Sequence, residues 1–260
     1  MTENRRQDRG IIRPRKGRGD PAVGPDALMV IIPSQLEHLA RRTGAEEVPF
    51  SERTWYRLYR APDASGGITL CGPFLGAPHA VMGMEKLIAL GARRIWVLGW
   101  CGSLQPDLRA GHAVIPTGAV SGEGTSAHYP IGDRPVRPDP GLVRRLARGL
   151  GRAGIPFKKG TVWTTDAIYR ETVRKIRSLR DRGVLAVEME LSALMTVAIF
   201  RSVSLGALLV VSDDLSGLKW RPGFSDPQFR KNSLAAAEVL LQAAAATGAD
   251  EPGPSNGPVR

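Results

Sequence analysis

Two pairs of carboxylates, each at the end of a short apolar run, are the residues of this sequence best suited to chemistry. Glu188 and Glu190 follow the run 185–187, and Asp213 and Asp214 follow the run 205–211. Between the pairs, apolar residues recur at helical spacing, so the segment is predicted to form a strand, a helix and a second strand. Because ligands of open α/β sheets bind outside the carboxyl ends of the strands, both pairs are expected to face one pocket.

Each of these carboxylates has a second interpretation, because Asp and Glu also satisfy the free N–H groups at the start of a helix. We favour this capping role for Glu188 and Asp214. We favour a functional role for Glu190 and Asp213, for reasons that come from the rest of the chain.

The composition indicates a globular, soluble and cytoplasmic protein. The chain has 260 residues, 42% hydrophobic content and a net charge of +11. It contains no apolar run long enough for a membrane span and no apolar signal core, so no membrane partner is expected. The two cysteines are too few for a disulfide framework or a metal site, and no metal is expected.

The chain ends differ in composition from the middle. Residues 1–20 are rich in Gly and Arg and have little to bury, so residues 1–27 are predicted to be a disordered basic tail. Residues 28–247 are predicted to form one domain, and residues 248–260 a second disordered tail. A basic tail can bind phosphate backbones, but no aromatic residues are interleaved with it, so nucleic acid is not an expected partner.

The alternation of apolar runs and helical periods predicts an α/β fold, with three layers (α/β/α) and a mixed central sheet. The predicted strands are 28–32, 55–59, 67–71, 95–98, 113–116, 159–165, 185–187 and 205–211. The first predicted helix begins at residue 34, and the second ends at Gly91. Further helices are predicted at 142–150, 172–182 and 226–247 and directly after Glu190. A tight turn is predicted at 99–103, where backbone N–H groups could line an anion or sugar site or simply allow close packing.

Five segments together resemble the nucleoside phosphorylase and nucleosidase superfamily, which includes uridine phosphorylase, hexameric purine nucleoside phosphorylase and methylthioadenosine nucleosidase. They are 72–78, 99–103, 123–129, 165–169, and 188–190 with 212–213. The resemblance covers residues 28 to about 240. It implies a three-layer fold, cleavage of the N-glycosidic bond of a nucleoside, and a homo-oligomer.

The resemblance also implies roles for individual residues. Glu190 would bind the ribose 2′-hydroxyl and Met189 would pack under the sugar, while Asp213 would give a proton to N7 of a purine. Both carboxylates would then be catalytic. The other residues implied around the substrate are Glu188, Thr165, Ile168, Tyr169, Gly99, Trp100, Cys101, Gly102 and Arg174.

This chain departs from the family pattern at the phosphate site. Family phosphorylases use a Gly and an Arg in the first loop and an Arg and a hydroxyl around the turn at 99–103, where this chain has Val97 and Trp100. The residues that could hold phosphate or water instead are Ser34, Glu37, His38, Arg57, Arg60 and Arg170. Water attack, with Glu37 or His38 as the activating base, is therefore an alternative.

The resulting interpretation is a nucleoside phosphorylase, a pentosyltransferase that uses phosphate as co-substrate and no other cofactor. It would convert a purine or pyrimidine nucleoside into free base and pentose 1-phosphate. The alternatives are a nucleoside hydrolase that uses water and a non-catalytic nucleoside-binding relative. Asp213 favours a purine and Arg174 a pyrimidine, so the base stays open.

Overall fold

A computed structural model describes residues 10–62 and 67–246 of the chain. The strands are β1 (Asp26–Val30), β2 (Glu46–Glu47), β3 (Arg57–Arg60), β4 (Thr69–Gly72), β5 (Arg94–Ser103), β6 (Ala113–Gly122), β7 (Phe157–Thr165), β8 (Ala186–Glu188), β9 (Ser204–Asp214) and β10 (Arg221–Pro222). The α-helices are α1 (Pro33–Thr43), α2 (Ala77–Leu90), α3 (Pro140–Arg152), α4 (Val173–Asp181), α5 (Leu191–Arg201) and α6 (Pro227–Ala245).

The strands form one mixed sheet in the order β10-β9-β6-β7-β8-β5-β1-β4-β3-β2, and β9 also pairs with β5. Strand β5 is parallel to β1 and β9 and antiparallel to β8. The pairings β5–β9, β9–β6, β6–β7, β7–β8 and β8–β5 therefore close five strands into a ring. The mixed sheet predicted from the sequence is confirmed.

Helices cover both faces of the sheet, as predicted. Alternation along β1 places Ala27 and Met29 in one core with α2 and α5, and Leu28 and Val30 in another with α1, α3 and α6. Helix α4 belongs to a third, smaller core that includes Trp163. Because helices cover both faces of the sheet, apolar side chains on both faces of a central strand such as β1 are buried.

The register of the central strands brings the predicted chemistry to one edge. Gly102 near the end of β5 lies opposite Val187 of β8 on one side and Asp213 of β9 on the other. Thr164 near the end of β7 lies opposite Glu188. Since neighbouring strands are about 4.8 Å apart, the acidic ends of β8 and β9 are separated by roughly 10 Å across β5.

Two strands extend beyond their predicted ends. Residues 99–103 are not a tight turn, because β5 continues through Ser103 and pairs with both β8 and β9, with an irregularity between Cys101 and Gly102. Strand β6, predicted at 113–116, continues to Gly122 through its pairing with β7, and a 3₁₀ turn follows at Thr125–His128.

The N-terminal boundary lies earlier than the predicted residue 28. Strand β1 begins at Asp26, whose carboxylate accepts hydrogen bonds from Arg94 and Trp96. Asp20 is buried and pairs with the buried Lys86 at 2.7 Å. Residues 1–9 and the predicted tail 248–260 lie outside the described residues. Within the described part of the chain, no helix is long and apolar enough to cross a membrane.

Candidate active site

The side chain of Glu188 caps helix α5, which is the role favoured for it from the sequence. One carboxylate oxygen accepts the backbone N–H groups of Glu190 and Leu191, both at 2.7 Å. The other oxygen accepts the hydroxyl of Thr164, and that hydroxyl oxygen accepts the N–H of Ser192 at 2.8 Å. Glu188 is therefore fully engaged in joining β7, β8 and α5, and the geometry favours a structural role for it over substrate contact.

Glu190 is the buried carboxylate that is held towards another loop. It occupies the N-cap position of α5, but its side chain does not cap that helix. Instead Oε1 accepts the N–H of Gly76 at 2.7 Å, which ties the start of α5 to the start of α2. Met189 between the two glutamates is half-buried. This tether fixes the carboxylate on a rigid part of the fold.

The two glutamates are ionisable groups in a dry environment. Burial raises the pKa of both carboxyls, and repulsion by Glu190 adds to the rise at Glu188. Backbone N–H donors act in the opposite direction at both positions. Each residue is only 6% exposed. A negative charge here is costly until it finds a compensating partner, such as a cationic transition state.

Asp213 sits at the end of β9 in a more open environment. Its Oδ1 accepts the hydroxyl of Ser212 at 2.6 Å, and its Oδ2 accepts the indole N–H of Trp220 at 3.0 Å. The neighbouring strand allows this because Gly102 has no side chain: a Cβ there would lie 2.9 Å from Oδ2 and 2.6 Å from Leu215. Gly102 thus contributes space for the carboxylate, and its backbone belongs to the sheet.

Glu171 is a second acidic group on the Asp213 side, and the sequence analysis missed it. Burial, with repulsion by Asp213 as the next contribution, raises the pKa of Glu171 to about 7. The residue follows the 3₁₀ turn at Ile168–Arg170 and precedes Thr172, the N-cap of α4. Glu171 lies two residues after the segment 165–169 that resembles the family, which could have indicated it, but no glutamate is part of that motif.

The segment 165–169, which the family resemblance places around the substrate, is only partly brought into the site. Thr165 is buried and accepts the N–H of Ala167 at 3.3 Å. Ile168 is 54% exposed and Tyr169 is 96% exposed, so the tyrosine ring lines no enclosed pocket within residues 10–62 and 67–246. Arg174 lies exposed in the first turn of α4. Thr165 lies at the end of β7, whereas the ring of Tyr169, which was expected beside the substrate, faces solvent.

Strand β5 contributes a packed surface where the sequence predicted a turn. The backbone of Gly99 approaches Ile31 and Leu209, since a Cβ would lie 3.3 Å from each. Cys101 is buried, and burial raises the pKa of its thiol well above the ordinary range, with Asp213 and Glu188 adding to the rise. Cys101 therefore lies between the two acidic strand ends and stays neutral.

The first-loop candidates for a phosphate or water site are not brought together. Ser34 and Glu37 are exposed in helix α1, and His38 contacts Glu238 of α6 at 3.3 Å. This contact directs the imidazole towards α6. Helix α1 begins at Pro33, one residue before its predicted start, so these side chains lie along the helix surface.

Gln35 is the buried polar residue of this segment, and sequence reasoning missed it. Its amide Nε2 donates to the hydroxyl of Ser233 at 3.0 Å and to the Ser233 carbonyl at 3.3 Å. The indole of Trp100 donates to the same hydroxyl at 3.0 Å. The buried Oε1 of Gln35 accepts no hydrogen bond from the described residues. Trp100 also packs against Phe229 at 5.0 Å between ring centroids.

The arginine candidates are elsewhere in the fold. Arg57 pairs with Glu47 at 2.6 Å at the outer edge of the sheet, and Arg60 lies on the same strand β3. Strands β1 and β4 separate β3 from β5. Arg170 is exposed at the end of the 3₁₀ turn. The structure therefore does not place these arginines beside the carboxylates of the same chain.

No metal centre is evident in the part of the chain that the structure describes. No group of three or more His, Cys, Asp or Glu side chains among those residues could hold a metal ion. The arrangement at the sheet edge instead offers two separate carboxylate positions. Chemically, such a site can orient hydroxyl groups, stabilise a developing positive charge and transfer a proton.

Comparisons with known proteins point in the same direction. The family described as the phosphorylase superfamily matches residues 26–246. A guanosine phosphorylase from Halorubrum lacusprofundi is 27% identical over 183 residues, which cover 70% of this chain and 76% of that protein. A uridine phosphorylase from Treponema pallidum is 33% identical over 167 residues, which cover 60% of this chain and 65% of the relative. The match therefore spans slightly less than two thirds of the second protein.

A solved structure has the same architecture. The uridine phosphorylase of Vibrio fischeri superimposes with a TM-score of 0.78 over 88% of this chain and 97% of that one, at 21% identity. At this level of identity the likeness concerns the fold. It confirms the three-layer arrangement around a mixed sheet that the sequence predicted.

Proposed function

Because this chain belongs to the phosphorylase superfamily, we propose that it is a nucleoside phosphorylase, a pentosyltransferase acting on a purine or pyrimidine nucleoside. With phosphate it would release the free base and pentose 1-phosphate. The names of its relatives, a guanosine phosphorylase and a uridine phosphorylase, support this activity. The observation that carries the proposal is the placement of Glu190 and Asp213 at one edge of the sheet: Glu190 follows β8 at the start of α5, Asp213 lies near the end of β9, and β5 pairs with both strands.

The proposed chemistry follows from the different environments of these two carboxylates. In the reaction a phosphate oxygen attacks C1′, the bond from C1′ to the base nitrogen breaks, and its electron pair goes to the base. Glu190, buried and fixed by Gly76, would orient the ribose hydroxyls near the developing positive charge. Asp213 would supply the proton that a purine base takes at N7 as it leaves.

Phosphate is the proposed co-substrate, and no organic cofactor or metal is part of the proposal. Water is the second candidate nucleophile, and a specific observation favours it. The arginines considered for phosphate lie on β3 and in the 3₁₀ turn of this chain. After β1, helix α1 instead contributes Gln35 to a neutral cluster with Trp100 of β5 and Ser233 of α6. A phosphate dianion needs compensating positive charge in a partly desolvated site.

The test is release of base from inosine, guanosine and uridine, with and without millimolar phosphate, followed by analysis of the sugar product. Turnover that requires phosphate and yields pentose 1-phosphate supports the phosphorylase. Turnover that is independent of phosphate and yields free pentose supports the hydrolase. Binding of a nucleoside without any turnover would support the third alternative, a binding protein.

The proposal includes a homo-oligomer. Leu75 precedes helix α2 and is 74% exposed, Met82 on that helix is 48% exposed, and Phe200 at the end of α5 is 37% exposed. A bidentate ion pair joins Arg201, the last residue of α5, to Glu85 in the middle of α2. A second copy could cover these apolar side chains. Light scattering of the purified protein would test it, and a monomer at micromolar concentration would contradict it. The predicted cytoplasmic location belongs to the same proposal.

A further inference from the structure

The turn between β9 and β10 places an aromatic side chain against Asp213. Residues 215–220 form this turn, and β10 then pairs antiparallel with β9 so that Pro222 lies opposite Asp213 and Arg221 opposite Asp214. The next residue continues the ladder, because Gly223 N–H donates to the Ser212 carbonyl at 2.8 Å. The backbone pairing of β10 with β9 therefore places residue 220 beside the end of β9.

Several contacts hold this turn in place. Leu215 N–H donates to the Ser103 carbonyl at 2.9 Å, which attaches the start of the turn to β5. Ser216 N–H donates to Asp214 at 2.7 Å, and its carbonyl accepts Arg180 from α4 at 3.0 Å. Leu218 adopts a left-handed conformation with φ of 59°, which a leucine adopts rarely. The turn thus has a defined conformation before any ligand binds.

Trp220 makes one hydrogen bond in spite of its exposure. The residue is 63% exposed, yet its indole N–H lies 3.0 Å from Oδ2 of Asp213. An indole N–H is only a donor, so it holds the carboxyl group of Asp213 in one orientation. Ser212 holds Oδ1, and each oxygen keeps a lone pair for a further partner.

We propose that Trp220 is a positioning residue that orients the carboxyl group of Asp213 towards the base through this hydrogen bond. The inference rests on the proposed function, because it assigns Trp220 a role in the proton transfer of that reaction. The bond is worth little while water surrounds it, and more once a bound nucleoside excludes water from the edge of the sheet.

Other ionisable groups face Asp213 and remain present in the test. Glu171 approaches from the segment before α4, Cys101 from β5 with Glu188 on its other side, and Arg221 from β10 through its 3.9 Å contact with Asp214. A substitution of Trp220 changes none of these groups. Any change in the activity that depends on Asp213 is therefore assigned to the lost indole donor.

The test replaces Trp220 with Phe, which keeps a ring and removes the N–H. Nitrogen-15 labelling of the indole groups, with Trp220→Phe to assign the signal, follows the Trp220 N–H by NMR. In Asp213→Ala this N–H loses its acceptor, so its proton resonance should move upfield. The indole signal of Trp55, which is 64% exposed and is assigned by Trp55→Phe, is the matched control and should stay unchanged. An unchanged Trp220 signal in Asp213→Ala would overturn the proposal.

Kinetics provide the second readout. Trp220→Phe should lower kcat on a purine nucleoside by on the order of tenfold with little change in KM, the loss expected for one hydrogen bond to a charged group. In the Asp213→Asn background the same substitution should have no further effect. Equal losses in both backgrounds would show that Trp220 acts independently of Asp213 and overturn the proposal.

The two levels of inference fail in different ways. If the wild-type protein cleaves no nucleoside, the proposed function is wrong, and the NMR signal of the Trp220 indole still decides whether Trp220 holds Asp213. If the wild-type protein is active and Asp213→Asn changes nothing, the proposed function stands and the role of Trp220 is overturned.

Discussion

The two acidic ends of the central strands differ in how they are held, although both belong to the same edge of the sheet. The Glu188–Glu190 pair is buried and bound by backbone N–H groups of α5 and of the loop before α2. Asp213 is half-exposed and bound by two side chains, Ser212 and Trp220. Backbone donors fix a group with the fold, whereas side-chain donors can be replaced one at a time. The first region is suited to holding a sugar and the second to adjusting a proton transfer.

The largest expected effect separates the bases at Asp213. Asp213→Asn should reduce kcat/KM for a purine nucleoside by roughly 10²–10⁴-fold, because a positioned general acid is lost. Uridine cleavage, which has no N7 to protonate, should change far less. Steady-state kinetics on inosine and uridine measure both values. A small and equal loss on the two substrates would remove the distinction between the two regions.

The buried side of the comparison is tested at Glu190. Glu190→Gln keeps the shape and the acceptor for Gly76 but removes the negative charge, so both purine and pyrimidine nucleosides should lose roughly 10²-fold in activity. The equal effect on both bases is the measurement that distinguishes this carboxylate from Asp213. Loss on one base only would mean that Glu190 contacts the base.

Glu188 should affect folding more than turnover. Glu188→Ala leaves two buried N–H groups and the Thr164 hydroxyl without their acceptor, at a cost of about 2 kcal/mol. For a domain of this size, Tm should fall by roughly 4–8 °C. Calorimetry of the variant measures the change. A normal Tm with abolished substrate binding would instead place Glu188 among the substrate contacts, as the family resemblance implied.

The smallest effect concerns Glu171 and the pH dependence of stability. The pKa of Glu171 in the folded protein is about 7, against an ordinary value of 4.5, so folding favours its protonated form. This contribution is fully present below about pH 4.5 and is lost as pH rises through 7. Glu171→Gln should therefore match wild-type stability at pH 5 and exceed it by about 1 kcal/mol at pH 8, after allowance for partial exposure. Urea unfolding at both pH values measures this, and equal pH dependence in the two proteins would contradict it.

Apolar periodicity was enough to predict the three layers, the order of strand, helix and strand around Glu190, and Asp213 near the end of β9. These features follow from side-chain burial, which the sequence records directly. The parallel crossover expected for these two strands is wrong, because β8 is antiparallel to β5 while β9 is parallel to it. The ends of β5 and β6 were not predictable in the same way, because Gly102 and Gly122 take part in strands only through partners distant in sequence. A run rich in Gly therefore indicated a turn where the fold has a sheet.

Side-chain partners were the part of the site that the sequence could not provide. Nothing local indicates that Trp220 returns to Asp213, since the hairpin register decides it. Similarly, Gln35 and Ser233 are almost two hundred positions apart in the chain and meet only because α1 packs on α6. His38 was predicted near the nucleophile on its type alone, and its place on the helix surface directs it to Glu238.

The closed ring of β5, β9, β6, β7 and β8 has a consequence for how the protein is made. Val97 of β5 pairs with Ala207 of β9, which lies far along the chain. Strand β5 is therefore synthesised long before its partner β9. Until β9 leaves the ribosome, β5 and β6 keep open hydrogen-bonding edges that can pair with other chains. Such distant pairings also make folding slow. Since Asp213 ends the strand that closes the ring, a nascent chain acquires its proposed acid only when this exposure is over.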